Sequence, residues 1–89
     1  MSNLYLIDRP LAQQGMAFAA ADDEAVVVLI QDGVYADVSA LAAAGRPLYA
    51  VQKDIVRRGL DGRLADSVHT IGYDELVDLI VENKVVNFA

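Results

Sequence analysis

The run Val26-Val27-Val28-Leu29-Ile30 has five consecutive β-branched or aliphatic residues and no polar face. Such a run suits a strand covered on both sides, as in a parallel sheet. Asp32-Gly33 then stops it. Gly33 is read as a turn residue that exploits a backbone angle a Cβ resists, and Asp32 as a cap for the following helix. That helix is expected near Val34, with Val34, Val38, Leu41 and Ala42 on one face. A strand, a tight turn and a helix start place functional groups at the strand's carboxyl end, where open α/β sheets gather them.

The flanking chain repeats this alternation. Leu4–Ile7 predicts a first strand, ended by Asp8-Arg9-Pro10, with Pro10 in the first turn of a helix. Leu11, Gly15, Phe18 and Ala19 are assigned to that helix's inner face. Gly15 costs a helix about 1 kcal/mol relative to alanine unless it permits close packing. Asp22-Asp23-Glu24 breaks the chain before the central strand, and Gly45-Arg46-Pro47 breaks it again after the second helix. Leu48–Val51 predicts the third strand and Gln52–Arg58 a short helix. Gly59 fits a left-handed C-cap, with Leu60 folding back on Ile55, and Asp61-Gly62 a turn. Val68–Ile71 predicts a fourth strand. Tyr73, Leu76, Val77, Ile80 and Val81 form a helical stripe opposite Asp74, Glu75, Asp78 and Glu82. Val85–Phe88 is either a short last strand or an apolar tail. Parallel strands joined by such short crossovers need helices between them. The expectation is a single domain over residues 1–89, a three-layer α/β/α sandwich with four or five mainly parallel strands.

Composition narrows the functions. Hydrophobic residues make up 55% of the 89, more than so small a domain easily hides, which predicts surface shared with other chains. The net charge of −6 disfavours direct nucleic acid binding. The clustered Arg57, Arg58 and Arg63 make a weak basic patch. The 89 residues hold no cysteine, so thiolate nucleophiles, disulfides and cysteine metal sites are absent from them. No apolar run approaches the ~18 residues of a membrane span, and no secretory leader pattern is seen, so the expected location is cytoplasmic.

Asp8, Asp32 and Asp54 each follow a strand, and carboxylates sharing a sheet edge suit Mg²⁺. The simpler reading makes Asp32 and Asp54 helix caps and Asp8 a turn closure, so no metal or cofactor is assigned. His69, the single histidine, is expected half-buried on its strand with one hydrogen bond. Ser2, Ser39 and Ser67 lack nucleophile-elbow spacing, and the glycines form neither a P-loop nor a dinucleotide fingerprint. No catalytic residue is assigned. The candidate ligand or interface residues are Asp32, Gly33, Tyr35, Tyr49, Asp54, Arg58 and Gly59.

Several segments in order, Leu29-Ile30-Gln31-Asp32-Gly33-Val34-Tyr35, Leu48-Tyr49-Ala50-Val51 and Asp54 with Arg57-Arg58-Gly59-Leu60, resemble the DsrH/TusB family of sulfur-relay proteins. Tyr73 followed by Leu76-Val77-Asp78-Leu79, and the aromatic Phe88, continue the likeness. The resemblance implies a DsrE/DsrF/DsrH-like fold. It also implies a cytoplasmic complex with DsrE/TusD-like and DsrF/TusC-like subunits that passes persulfide sulfur toward tRNA 2-thiouridine synthesis or sulfur oxidation. Some members of the family carry a cysteine in the first helix, where this chain has Gln14-Gly15-Met16-Ala17. Methionine cannot form a persulfide, so the resemblance implies a non-catalytic subunit here. The alternative is a stand-alone homo-oligomer that binds a small ligand at the strand carboxyl ends.

Overall fold

The computed structural model describes residues 2–59 and 67–89. Five parallel strands form one sheet: β1 (Asn3–Ile7), β2 (Ala25–Leu29), β3 (Leu48–Val51), β4 (Val68–Ile71) and β5 (Lys84–Phe88). Their spatial order is β4-β3-β2-β1-β5. The four α-helices are α1 (Ala12–Ala21), α2 (Ser39–Ala43), α3 (Gln52–Arg57) and α4 (Tyr73–Glu82). Short 3₁₀ helices at Arg9–Leu11 and Gln31–Tyr35 follow β1 and β2.

Right-handed crossovers explain the layering. The steps from β1 to β2, β3 and β4 all run one way across the sheet, so α1, α2 and α3 share one face. The step from β4 to β5 runs back past β1, so α4 lies on the other face. Residues alternate accordingly along each strand. Tyr5, Ile7, Val27, Leu29, Leu48 and Ala50 pack with Ala19, Leu41 and Ile55. Leu4, Val28, Val51 and Ile71 pack with Leu76 and Leu79 on the opposite face. The Val26–Ile30 run thus belongs to a strand covered on both faces, as its composition predicts.

The first helix buries Ala12, Gly15 and Ala19. Leu11 and Phe18, expected inside, are exposed. The sheet's edge comes so close that only small residues fit beneath α1. A Cβ on Gly15 would stand 3.0 Å from Phe88 Cβ and 3.1 Å from Ile7 Cγ1. Phe18 instead stacks on Phe88 from outside, with ring centroids 5.7 Å apart. Arg46 ties the end of α1 to the second breaker by donating to the carbonyls of Ala19 and Ala20.

The helix expected near Val34 is a 3₁₀ turn followed by the short α2, with Val34, Val38 and Leu41 buried but Ala42 exposed. The α4 stripe is also displaced. Leu76 and Leu79 face the sheet, while Tyr73, Val77 and Val81 stand on an exposed flank. Both flanks of α4 are apolar at helical spacing, so the period alone does not choose between them. Residues Lys84–Phe88 are a true strand, hydrogen-bonded along β1 in register Asn3↔Lys84 to Ile7↔Phe88. Leu60, Asp61, Gly62 and Arg63 lie outside the described residues.

Candidate functional site

The carboxyl ends of β2 and β3 converge where the Gln31–Tyr35 turn meets α3. Asp54, in the first turn of α3, is 5% exposed and is the buried charged residue among the described residues. Its Oδ2 accepts from the backbone N–H of Gln31 at 2.8 Å. Gln31 has φ +49°, a left-handed conformation that a non-glycine residue adopts at a cost. Asp54 therefore pins a strained residue at the tip of the central strand. Its carboxylate does not cap its own helix, since α3 begins without a side-chain cap; it takes instead the first N–H of the 3₁₀ helix after β2.

Arg58 closes the cluster from the end of α3. Its Nε donates to Asp32 Oδ1 at 2.8 Å, and one Nη donates to the Asp54 carbonyl at 3.3 Å and to Asp54 Oδ1 at 3.5 Å. The hydrogen bond to Asp32 raises the guanidinium's pKa, aided by the charges of Asp32 and Asp54. Asp32, expected to cap a helix, is thus an ion-pair partner of a residue 26 positions away. Asp8, by contrast, closes its turn as expected by accepting from Arg9 N–H at 2.6 Å. No group of three or more metal-ligating side chains gathers among the described residues.

Gly33 is required here for a reason other than the one read from its sequence. Its φ is not positive; a Cβ would stand 2.2 Å from the Ile7 carbonyl oxygen. The turn lies directly against the end of β1, and only a hydrogen fits. Gly59 does have the expected positive φ, +66°. Tyr35, half exposed, lies under Arg9, whose guanidinium carbon is 5.6 Å from the ring centroid. Tyr49 sits elsewhere, mid-strand on the α4 face, beside His69 at 6.1 Å between ring centroids. His69 is exposed, not half-buried. Asp32, Gly33, Asp54 and Arg58 therefore form one cluster, with Tyr35 and Gly59 at its borders and Tyr49 apart.

The cluster opens into a shallow cavity of about 290 Å³ that is also lined by Gln31, Arg57, Tyr73 and Leu76. Neither Gln31 nor Tyr73 stood out as a site residue in the sequence. The left-handed turn has no signature when glutamine occupies it, and Tyr73 reads as part of a packing stripe. A second polar network joins the start of β1 to the end of α1. Asp22 accepts from Asn3 Nδ2 at 2.7 Å, from the Tyr5 hydroxyl at 2.9 Å and from Glu24 N–H at 2.9 Å. These donors, Asn3 foremost, hold its carboxyl below the usual range.

The fold matches that of a solved structure. The YchN protein from Escherichia coli superposes with a TM-score of 0.76 over 99% of each chain, at 14% identity. This places the molecule in the DsrEFH-like α/β class. Sequence relatives are nearer. Protein TusB of Photorhabdus laumondii is 41% identical, with 73% of this chain and 72% of the relative covered. Protein TusB of Serratia proteamaculans is 36% identical, with 74% and 73% covered. The family model described as DsrH like protein matches residues 12–86, a span that includes every member of the Asp54 cluster. The chain belongs to the DsrH-like family.

Proposed function

We propose that the chain is a non-catalytic subunit of a sulfur-relay complex serving tRNA 2-thiouridine synthesis, assembled with DsrE/TusD-like and DsrF/TusC-like partners in the cytoplasm. The observation that carries this reading is the pairing of DsrH-like family membership with 89 residues that hold no thiol. Persulfide transfer needs a sulfur nucleophile, so the relay cysteines belong to the partners and this chain supplies structure. The nearness of the TusB relatives favours the tRNA branch over sulfur oxidation. No helix among the described residues is long and apolar enough to cross a membrane.

The exposed side chains support a role in assembly. Phe18 on α1 and Val77 and Val81 on α4, away from the Asp54 cluster, leave large apolar groups in water. On a chain this small they match the apolar excess read from composition.

The test is reconstitution of the three subunits with radiolabelled sulfur loaded on one partner's cysteine. The expected result is co-assembly, label confined to the partners, and slower transfer between them when this chain is omitted. Partners that assemble and transfer sulfur equally well without it would refute the proposal.

A further inference from the structure

We propose that the groove between α3 and the start of α4 binds a small organic anion with a flat apolar body. This inference does not rest on the relay reading, and its test distinguishes a ligand groove from a surface that partner subunits cover. The groove adjoins the Asp54 cluster and is open to solvent, with a volume of about 540 Å³, within the range of small-molecule sites. Its walls are the side chains of Val51, Val56 and Tyr73. Val56 and Tyr73 are 53% and 48% exposed, so the groove presents two large apolar groups to water.

The charge around this groove identifies its occupant. The chain carries 13 acidic and 7 basic residues, so most of its surface repels anions. Lys53, Arg57 and Arg58 fall within one short stretch of sequence, reversing that sign locally. Arg58 is spoken for by Asp32 and Asp54. Lys53 and Arg57 line the groove, and among the described residues neither is in an ion pair. The Lys53 ammonium lies 5.3 Å from the Tyr73 ring centroid, which holds the cation at the edge of the apolar slot. A carboxylate or sulfonate would meet Lys53 and Arg57 while a planar body slid between Val56 and Tyr73. A neutral ligand would leave both cations unused. The groove also lies at the carboxyl ends of β3 and β4, where parallel α/β sheets place their ligands.

The test uses the full chain and two fluorescent probes with closely related ring systems, anilinonaphthalene sulfonate and the uncharged N-phenylnaphthylamine. The sulfonate is expected to bind at one site per chain, more tightly than the neutral probe, with weaker binding at high salt. Amide NMR shifts should change at Lys53, Val56 and Tyr73. Reversing both charges with Lys53→Glu and Arg57→Glu is expected to weaken the sulfonate about tenfold or more, the loss that goes with one charge-assisted hydrogen bond. The milder Lys53→Gln should give a smaller loss at an unchanged melting temperature. The neutral probe should respond little to either change. The proposal is overturned if the sulfonate does not bind, if charge reversal leaves its affinity intact, or if the shifts map to Phe18 or Val81. It is equally overturned if adding partner subunits expels the probe, since the groove would then be a protein-docking surface.

Discussion

Replacing Asp54 by alanine removes the acceptor that holds Gln31 in its left-handed turn. A hydrogen bond from a backbone N–H to a buried carboxylate contributes about 1.5–3 kcal/mol. Here it spans 2.8 Å and links two elements 23 residues apart. The contact to Arg58 Nη1 is long, 3.5 Å, but both side chains are largely buried, and losing it while Arg58 keeps its bond to Asp32 moves the cost to the upper part of that range. Asp54→Ala should therefore cost about 2–3 kcal/mol. Asp54→Asn keeps a neutral acceptor toward Gln31 and should cost about 1 kcal/mol. Urea denaturation followed by circular dichroism reads the difference. With a slope of about 1 kcal/mol/M for a chain this small, the alanine midpoint should fall by about 2–3 M and the asparagine midpoint by about 1 M. Hydrogen exchange at the Gln31 amide should accelerate in the alanine variant and much less in the asparagine variant. Equal losses in the two variants would show that the acceptor is not what matters. An alanine midpoint within about 0.5 M of the parent would refute the assigned role of the carboxylate.

Gly33→Ala should lose up to about 3 kcal/mol, because its Cβ meets backbone that cannot yield, whereas Gly59→Ala, facing open space at positive φ, should lose about 1 kcal/mol; urea midpoints in the reverse order would contradict this. The depressed pKa of Asp22 gives stability that is present above its ordinary value and lost as pH falls through the lower folded value. Acid titration of the parent should thus show a loss below about pH 4 that is shallower in Asp22→Asn, and identical acid slopes would exclude the linkage. Millimolar Mg²⁺ should not raise the melting temperature, because the Arg58 guanidinium already bridges Asp32 and Asp54; a stabilisation abolished by Asp32→Asn would revive a metal site. Light scattering at micromolar concentration should find the chain associated, and a clean 9.6 kDa species both alone and with partner subunits would remove the assembly reading.

The strands were legible because their chemistry is local. Val26–Ile30 and Leu48–Val51 are apolar runs bounded by breakers, and the structure places strands on both within a residue. The strand order was not legible, since the alternation predicts crossovers without saying which side of β1 receives Lys84–Phe88. Of the candidate residues, Asp32, Gly33, Asp54 and Arg58 lie together, Tyr49 lies apart, and the contacts that join them were not legible in the sequence. Asp32 and Asp54 follow strands and so resemble caps, but their partners are Arg58 and the Gln31 amide, fixed only when α3 packs against the turn after β2. Gly33 shows the same limit. Its need arises from the Ile7 carbonyl, a contact made across the sheet.

The position of β5 also sets a timetable for synthesis. Asn3 pairs with Ala25 on one side and with Lys84 on the other. While the ribosome is still making α4, β1 is an open edge, with Leu4 and Tyr5 beside an unpaired row of amides and carbonyls. Exposed apolar edges of this kind recruit strands from other chains. The nascent chain is therefore most prone to misassociation just before its final strand emerges, and a chain that loses Lys84–Phe88 would keep that edge for its lifetime.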